Sequence, residues 1–216
     1  MIEHGWLGPI EWAAKARQRQ GEQVCGDRSI AVDLGGTGAL LGVLDGLGHG
    51  AEAATAATRG VEVLRAARAK PLEDLIQLCH RALSGTRGAA MTLARIDFQA
   101  DTLCWIGVGN VTANLVAKHP AGIEVRSSAR LAGGIIGYRI PEVVAPQEVS
   151  IRPGDLLVIA SDGIAEDYLD NIDFAAPAVA IAEQIVRSHG RDDDDALVLT
   201  ARHRGVSDDP RGSPHS

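Results

Sequence analysis

Three short apolar runs stand out from an otherwise mixed chain: Ala39-Leu-Leu-Gly-Val-Leu44, Asp155-Leu-Leu-Val-Ile-Ala160 and Ala196-Leu-Val-Leu-Thr200. Each has strand length, is aliphatic rather than alternating, and is bounded by Gly or Asp, the pattern of a strand covered on both faces. Ala90–Phe98 and Thr102–Val108 flank Gln99-Ala100-Asp101 and predict a hairpin. Ser29–Leu34, followed by Gly35-Gly36-Thr37-Gly38, predicts another hairpin arm leading into the first apolar run. Elsewhere the period is helical. Ala51–Ala69 is rich in Ala, Glu and Arg, with Val61 and Leu64 at helical spacing. Pro71 opens a second helix whose stripe of Leu72, Leu75, Ile76, Cys79 and Leu83 is stopped by Gly85. Pro177–Ser188 carries Val179, Ile181, Ile185 and Val186 as a third.

The order is strands, two helices, a long run of strands, one or two helices and a final strand. That is not the strict alternation of a doubly wound parallel sheet. It predicts an α+β fold, an antiparallel β-sandwich flanked by helices in α-β-β-α layers. No fixed-period repeat is present, so a solenoid is excluded. A chain of 216 residues suits one domain, expected over 1–203, with 204–216 as a loose C-terminal tail.

Composition narrows the function. With 45% hydrophobic and 23% charged residues, the chain is neither disordered nor fibrous. Only 3% is aromatic, so the core has to be aliphatic. Acidic residues outnumber basic ones, 28 to 21, for a net charge of −7, which argues against a nucleic-acid partner. Cys25, Cys79 and Cys104 form no CxxC pair and suggest neither a disulfide framework nor a zinc ribbon. Met1–Gln20 carries Glu3 and no apolar core, and no apolar run approaches the ~18 residues of a membrane helix. A cytoplasmic protein with no membrane partner is expected.

The aspartates carry the chemistry. Asp45 ends the first apolar run in Leu44-Asp-Gly-Leu-Gly-His-Gly50, and Asp162 closes the second in Ala160-Ser-Asp-Gly-Ile164. Asp194 stands just before the third, within Arg191-Asp-Asp-Asp-Asp-Ala196, and Asp27 precedes the early hairpin in Cys25-Gly-Asp-Arg28. A carboxylate at the end of a buried strand is expensive to desolvate without compensation, and four at one rim would repel one another. Mg²⁺ or Mn²⁺, hard cations that take oxygen ligands, resolve that conflict. Glycine after the aspartate would let its own backbone carbonyl approach the ion. Taken singly, each piece has a plainer meaning: an Asp-Gly turn, a solvated charge run, a turn residue at Asp27, a loop at Gly48-His49-Gly50. The joint pattern does not. No GxSxG is present, Cys25 is followed by no phosphate cradle, and Gly46–Gly50 lacks the Lys-Ser/Thr of a Walker loop.

Cys25-Gly-Asp27, Asp45-Gly-Leu-Gly-His-Gly50, Arg87-Gly88-Ala89, Gly107-Val-Gly-Asn110, Ala160-Ser-Asp-Gly-Ile164 and Asp194-Asp-Ala-Leu197 occur in the order found in type 2C metal-dependent serine/threonine phosphatases. From Gly21 to Arg202 the chain resembles their small bacterial SpoIIE and RsbX-like branch. The resemblance implies a β-sandwich between pairs of helices. It implies that Asp45 bridges two Mn²⁺ or Mg²⁺ ions, that the Gly46 carbonyl is a ligand, and that Asp162 and Asp194 hold the second ion. Asp27 would be a further metal-site carboxylate acting on the attacking water, which displaces phosphate in line with no covalent intermediate. Asp194 is preferred within Asp192–Asp195, the register there being open by one residue.

Several positions depart from the family pattern. Leu47 stands where many members have His, which leaves His49 or water to protonate the leaving group. The phosphate-binding Arg has no direct counterpart, and Arg28 is the nearby candidate. Asn110 replaces an Asp that can hold a third metal, so two ions are expected; Leu197 replaces Thr or Ser. The stretch 137–162 is too short for a large flap and implies an open cleft for a folded protein substrate. The resemblance further implies a phosphorylated STAS-domain protein of a stress-response complex as substrate; the lack of a sensor or linker segment suggests a stand-alone enzyme, the oligomeric state being open with a monomer favoured. A degenerate phosphatase-like module that only binds a phosphorylated partner is the alternative. A Ca²⁺-binding domain built on Asp192–Asp195 lacks the spaced ligands and closing Glu of an EF-hand.

Overall fold

The computed structural model describes residues 1–120, 122–170 and 172–205. Most of the expected tail, 206–216, lies outside the described residues. Arg204 is held, its backbone N–H donating to the Pro9 carbonyl at 2.8 Å and its Nε to Glu11 Oε2 at 2.7 Å.

In chain order the elements are β1 (Ile2–Leu7), β2 (Ile10–Arg17), β3 (Asp27–Asp33), β4 (Gly38–Gly46), α1 (Gly50–Ala67), α2 (Leu72–Ala82), β5 (Ala89–Asp97), β6 (Thr102–Val108), β7 (Thr112–His119), β8 (Gly122–Ser128), β9 (Leu131–Ala132), β10 (Gln147–Ser150), β11 (Leu156–Ala160), α3 (Ala178–His189) and β12 (Ala196–His203). One sheet runs β1-β2-β12-β11-β7-β8; the other runs β10-β6-β5-β4-β3. All these neighbours are antiparallel, and β9 alone pairs parallel, with β6.

The three apolar runs are β4, β11 and β12, each inside its sheet and covered on both faces. Alternate residues serve different cores. Leu41 and Val43 of β4 meet Leu157, Ile159, Leu199 and the fully buried Trp105 between the sheets. Leu40 and Leu44 turn outward against Leu64 of α1 and Leu75 and Ile76 of α2. On the opposite face Val158 and Val198 pack on Ile181 and Ile185 of α3. Burying a side chain of this size contributes about 1.5–3 kcal/mol, so both faces of the central strands hold the layers together. The expected four-layer α+β sandwich is what forms. A pair of helices covers one face, but among the described residues the other carries α3 alone, with turns in the segment leading to it.

The hairpin β1–β2 is not among the strands predicted from the sequence. Its β2 strand pairs along its whole length with β12, from Ala196↔Arg17 to His203↔Ile10. The β3–β4 turn is set by Asp33, whose Oδ2 accepts from the N–H groups of Gly35 at 2.8 Å and Gly36 at 2.9 Å. Antiparallel order then decides where the loops meet. The start of β3, the end of β4, the end of β11 and the start of β12 lie at one rim of the sandwich.

Candidate active site

Asp27 is the first residue of β3 and faces Asp45, the penultimate residue of β4, across the ladder. From the other sheet, Asp162 follows the end of β11 and Asp194 precedes β12. A hydrogen-bond lock brings these last two loops together. The Ser161 N–H donates to the Leu197 carbonyl at 2.9 Å and the Leu197 N–H to Ser161 Oγ at 2.9 Å. Gly163 lies so near the backbone that a Cβ there would meet the Asp195 carbonyl oxygen at 1.8 Å.

The cluster is buried and short of compensation. Asp27 is 2% exposed, and its Oδ2 has no hydrogen-bond partner. Burial is the largest cause raising the Asp27 carboxyl above the usual carboxylate range; the charges of Asp195 and Asp162 push the same way, while Ser161 and Asp45 pull it back. Asp45 is raised by burial first and then by Asp27, Asp162 and Asp194. Asp194 is raised by burial and then by Asp162. Among the described residues none of Asp27, Asp45, Asp162 and Asp194 forms a salt bridge. Nor do three acidic side chains there stand as a ready-made ligand set. Asp45 touches Asp27 and Asp162 pairwise instead.

The donors are nonetheless those of a hard-cation site: carboxylates and the Gly46 carbonyl, with one buried carboxylate oxygen left unpartnered. Asp162 Oδ2 is fixed by the Asn110 amide at 2.6 Å. Asp195 is turned elsewhere, its Oδ1 accepting from the Arg19 N–H and its Oδ2 from the Gly26 N–H, both at 2.8 Å. Asp195 thus ties the N-terminal segment to β12, and Asp194 is the member of the acidic run that faces Asp45 and Asp162. A cavity of about 490 Å³, lined by Cys25, Asp27, Arg28 and Leu197 among others, opens beside Asp27.

Two sequence expectations change their physical reason. Gly46 is glycine because α1 lies on it; a Cβ would stand 2.1 Å from the Ala53 carbonyl oxygen. Cys25 is no nucleophile, since burial and the Asp27 charge push its thiol up to about 12. The remaining candidates sit at the same rim. His49 is the N-cap residue of α1, and its Nδ1 lies 2.5 Å from Glu22 Oε1. Arg28 closes its own loop, with Nη1 donating to the carbonyls of Cys25 at 2.6 Å and Asp27 at 2.7 Å and Nε to Thr58 Oγ1 at 3.2 Å. Leu47 is 47% exposed, and its backbone N–H donates to the Gly88 carbonyl. Glu22 and Arg87 were missed as side chains of the rim. The Arg87-Gly88 dipeptide was the available signal for Arg87, whereas nothing in the spacing marks Glu22.

The profile of the Stage II sporulation protein E (SpoIIE) family matches residues 35–209. The chain is 24% identical over 146 residues to the phosphoserine phosphatase RsbX of Bacillus subtilis (strain 168), covering 68% of this chain and 70% of RsbX. A solved structure described as part of the bacterial stressosome, a modular system adapted to control secondary messenger signalling, superposes with a TM-score of 0.80 at 34% identity, covering 89% of this chain and 99% of that one. The crystal structure of RsbX in complex with magnesium superposes with a TM-score of 0.79 at 20% identity over 94% of this chain and 99% of that one. With the family profile matched over most of its length, the chain belongs to the Stage II sporulation protein E (SpoIIE) family.

Proposed function

We propose that the protein is a Mn²⁺- or Mg²⁺-dependent phosphoserine/phosphothreonine protein phosphatase that uses two ions and acts on a phosphorylated STAS-domain protein of a bacterial stress-response complex. The likeness to RsbX and to a stressosome structure supports the substrate class. One observation carries the chemistry: four carboxylates from distant segments meet at one rim, and the buried Asp27 Oδ2 there has no donor. In this reading Asp45, the Gly46 carbonyl, Asp162 and Asp194 hold the ions. When bound, divalent ions lower the pKa of water and neutralise charge on the attacking and leaving oxygens.

The chain's own groups do the rest. Asp27 Oδ2, open to an incoming hydrogen bond, accepts the proton of the attacking water. Asn110 keeps Asp162 in one orientation through the amide contact on Oδ2. Glu22 Oε1, 2.5 Å from Nδ1 of His49, holds the ring in one orientation. Nε2 is then free to protonate the departing seryl or threonyl oxygen.

The test is hydrolysis of p-nitrophenyl phosphate and of a phosphoserine peptide, with Mn²⁺ and with EDTA. Asp45→Asn and Asp162→Asn should lose more than the ~10–100-fold expected when a group behind a metal ligand is removed, the range expected for Asn110→Ala in metal affinity. His49→Ala should slow the peptide by ~10²–10⁴ and p-nitrophenyl phosphate far less, because the nitrophenolate leaves without a proton. Turnover that survives EDTA and both aspartate substitutions would falsify the proposal. An inert protein that still binds the phosphorylated partner would be the phosphatase-like binding module instead.

A further inference from the structure

Arg28 has its Nε and Nη1 tied to its own loop and to α1, so the acidic rim needs another group to attract and orient a phosphoryl dianion. Arg87 is placed for that task. It lies just before β5, whose first residues pair with the end of β4 as Ala89↔Gly46 and Ala90↔Asp45. Its backbone is pinned from both sides, since the Gly88 carbonyl accepts from the Leu47 N–H at 3.0 Å and the Ala89 N–H donates to the Ile136 carbonyl at 3.0 Å. Thr86 adds a third tie, with Oγ1 donating to the Leu83 carbonyl at 2.6 Å and accepting from the Gly88 N–H at 3.1 Å. The guanidinium therefore projects from a fixed base.

It projects over the Asp45–Gly50 loop. Arg87 Nη1 stands 2.8 Å from where a Cβ on residue 48 would be, which places the guanidinium directly over this turn. Gly48 has φ +85°, so the turn itself calls for glycine there. Gly48 is three residues from Asp45, at most ~11 Å along the chain. Arg87 Nη2 pairs with Glu52 Oε2 at 2.5 Å, and the two side chains are 45% and 71% exposed. An ion pair so open to water contributes little, and a phosphoryl dianion offers the guanidinium a better, two-pronged partner. Glu52, in the first turn of α1, keeps the favourable helix dipole when the arginine leaves it.

We propose that Arg87 binds the phosphoryl oxygens of the substrate and that Glu52 is its placeholder in the free enzyme, displaced when substrate arrives. The inference rests on the phosphatase reading for its substrate, yet it can be read through binding alone. The measurements are the affinity of the Mn²⁺-loaded protein for inorganic phosphate by calorimetry and the KM and kcat for p-nitrophenyl phosphate. Arg87→Ala should weaken phosphate and raise KM about tenfold or more, the worth of a charged hydrogen bond, with a smaller change in kcat. Metal affinity and thermal stability should stay unchanged, and Arg87→Lys should recover part of the loss. Glu52→Gln should act in the opposite direction, tightening phosphate roughly two- to threefold by removing the competitor. Combined with Arg87→Ala, Glu52→Gln should have no effect.

Phosphate affinity unmoved by Arg87→Ala, or a Glu52→Gln effect independent of Arg87, overturns the proposal. So does an effect confined to peptide substrates, which would put Arg87 against a flanking side chain. Wild-type protein that never turns over but loses phosphate affinity in Arg87→Ala would sink the phosphatase reading and leave the role of Arg87 standing.

Discussion

At Asp27 and Asp45 the protein holds two carboxyls against each other in a place where neither can ionise cheaply. Unfolded aspartate titrates near pH 3.9. Burial first, and then the charges of neighbouring aspartates, raise both groups in the folded, metal-free protein, so above about pH 4 the native state binds more protons than the unfolded one. The sign follows: stability is greatest in mild acid and declines as pH rises toward and through the raised folded values. This is the reverse of a salt-bridged aspartate, and it gives a direct measurement. Thermal unfolding in EDTA should show a midpoint that falls between about pH 5 and pH 8, and Asp45→Asn should flatten the slope because it removes a titrating partner. Mn²⁺ should raise the midpoint, and more so at higher pH, where it displaces fewer protons. A metal-free midpoint that rises across this window in the wild type would contradict the buried, uncompensated cluster.

Two loops bring these residues together, and glycine limits both. α1 lies on Gly46, and the start of β12 lies on Gly163, with contacts of 2.1 and 1.8 Å awaiting any Cβ. Either Gly→Ala substitution should therefore destabilise the fold by ~1–3 kcal/mol or more, as overpacking does, and measured denaturant midpoints will show it. Gly163→Ala should also reduce metal affinity in protein that still folds, since it pushes Asp162 away from Asp194. Unchanged affinity there would mean that this loop does not hold the ligands in register. Much of this layout is legible in the sequence, because β4, β11 and β12 are covered on both faces and so read as unbroken aliphatic runs ending in Asp-Gly or beginning after Asp. The β1–β2 hairpin escapes the same reading. In β2, Ala13, Ala14 and Ala16 alternate poorly with Lys15 and Arg17, and the strand is specified by its pairing with β12 rather than by its own pattern. The choice between Asp194 and Asp195 is hidden for a related reason. The two residues are chemically identical, and only N–H groups from Arg19 and Gly26, far away in the chain, mark Asp195 as the one already engaged.

The whole molecule carries a net charge of −7, and two divalent ions would leave it negative. A phosphorylated substrate therefore approaches against the overall field, and Arg87 is a local exception at the mouth of the site. Long-range repulsion of this kind is screened over about 8–10 Å at physiological ionic strength, whereas contacts made inside the site are screened much less. The response to salt should then depend on what flanks the phosphoserine. For a peptide with glutamates beside it, kcat/KM should rise as NaCl goes from about 20 to 200 mM, a span over which the Debye length falls well below the size of the domain. For the same peptide with lysines in those places it should fall, because salt removes an attraction instead of a repulsion. Arg87→Ala should lower both curves while leaving their slopes opposed, since the slopes belong to the net charge and the offset to the guanidinium. Parallel responses of the two peptides would show that the field at the cleft is not set by the acidic surface, and that substrate choice depends on contacts within the site.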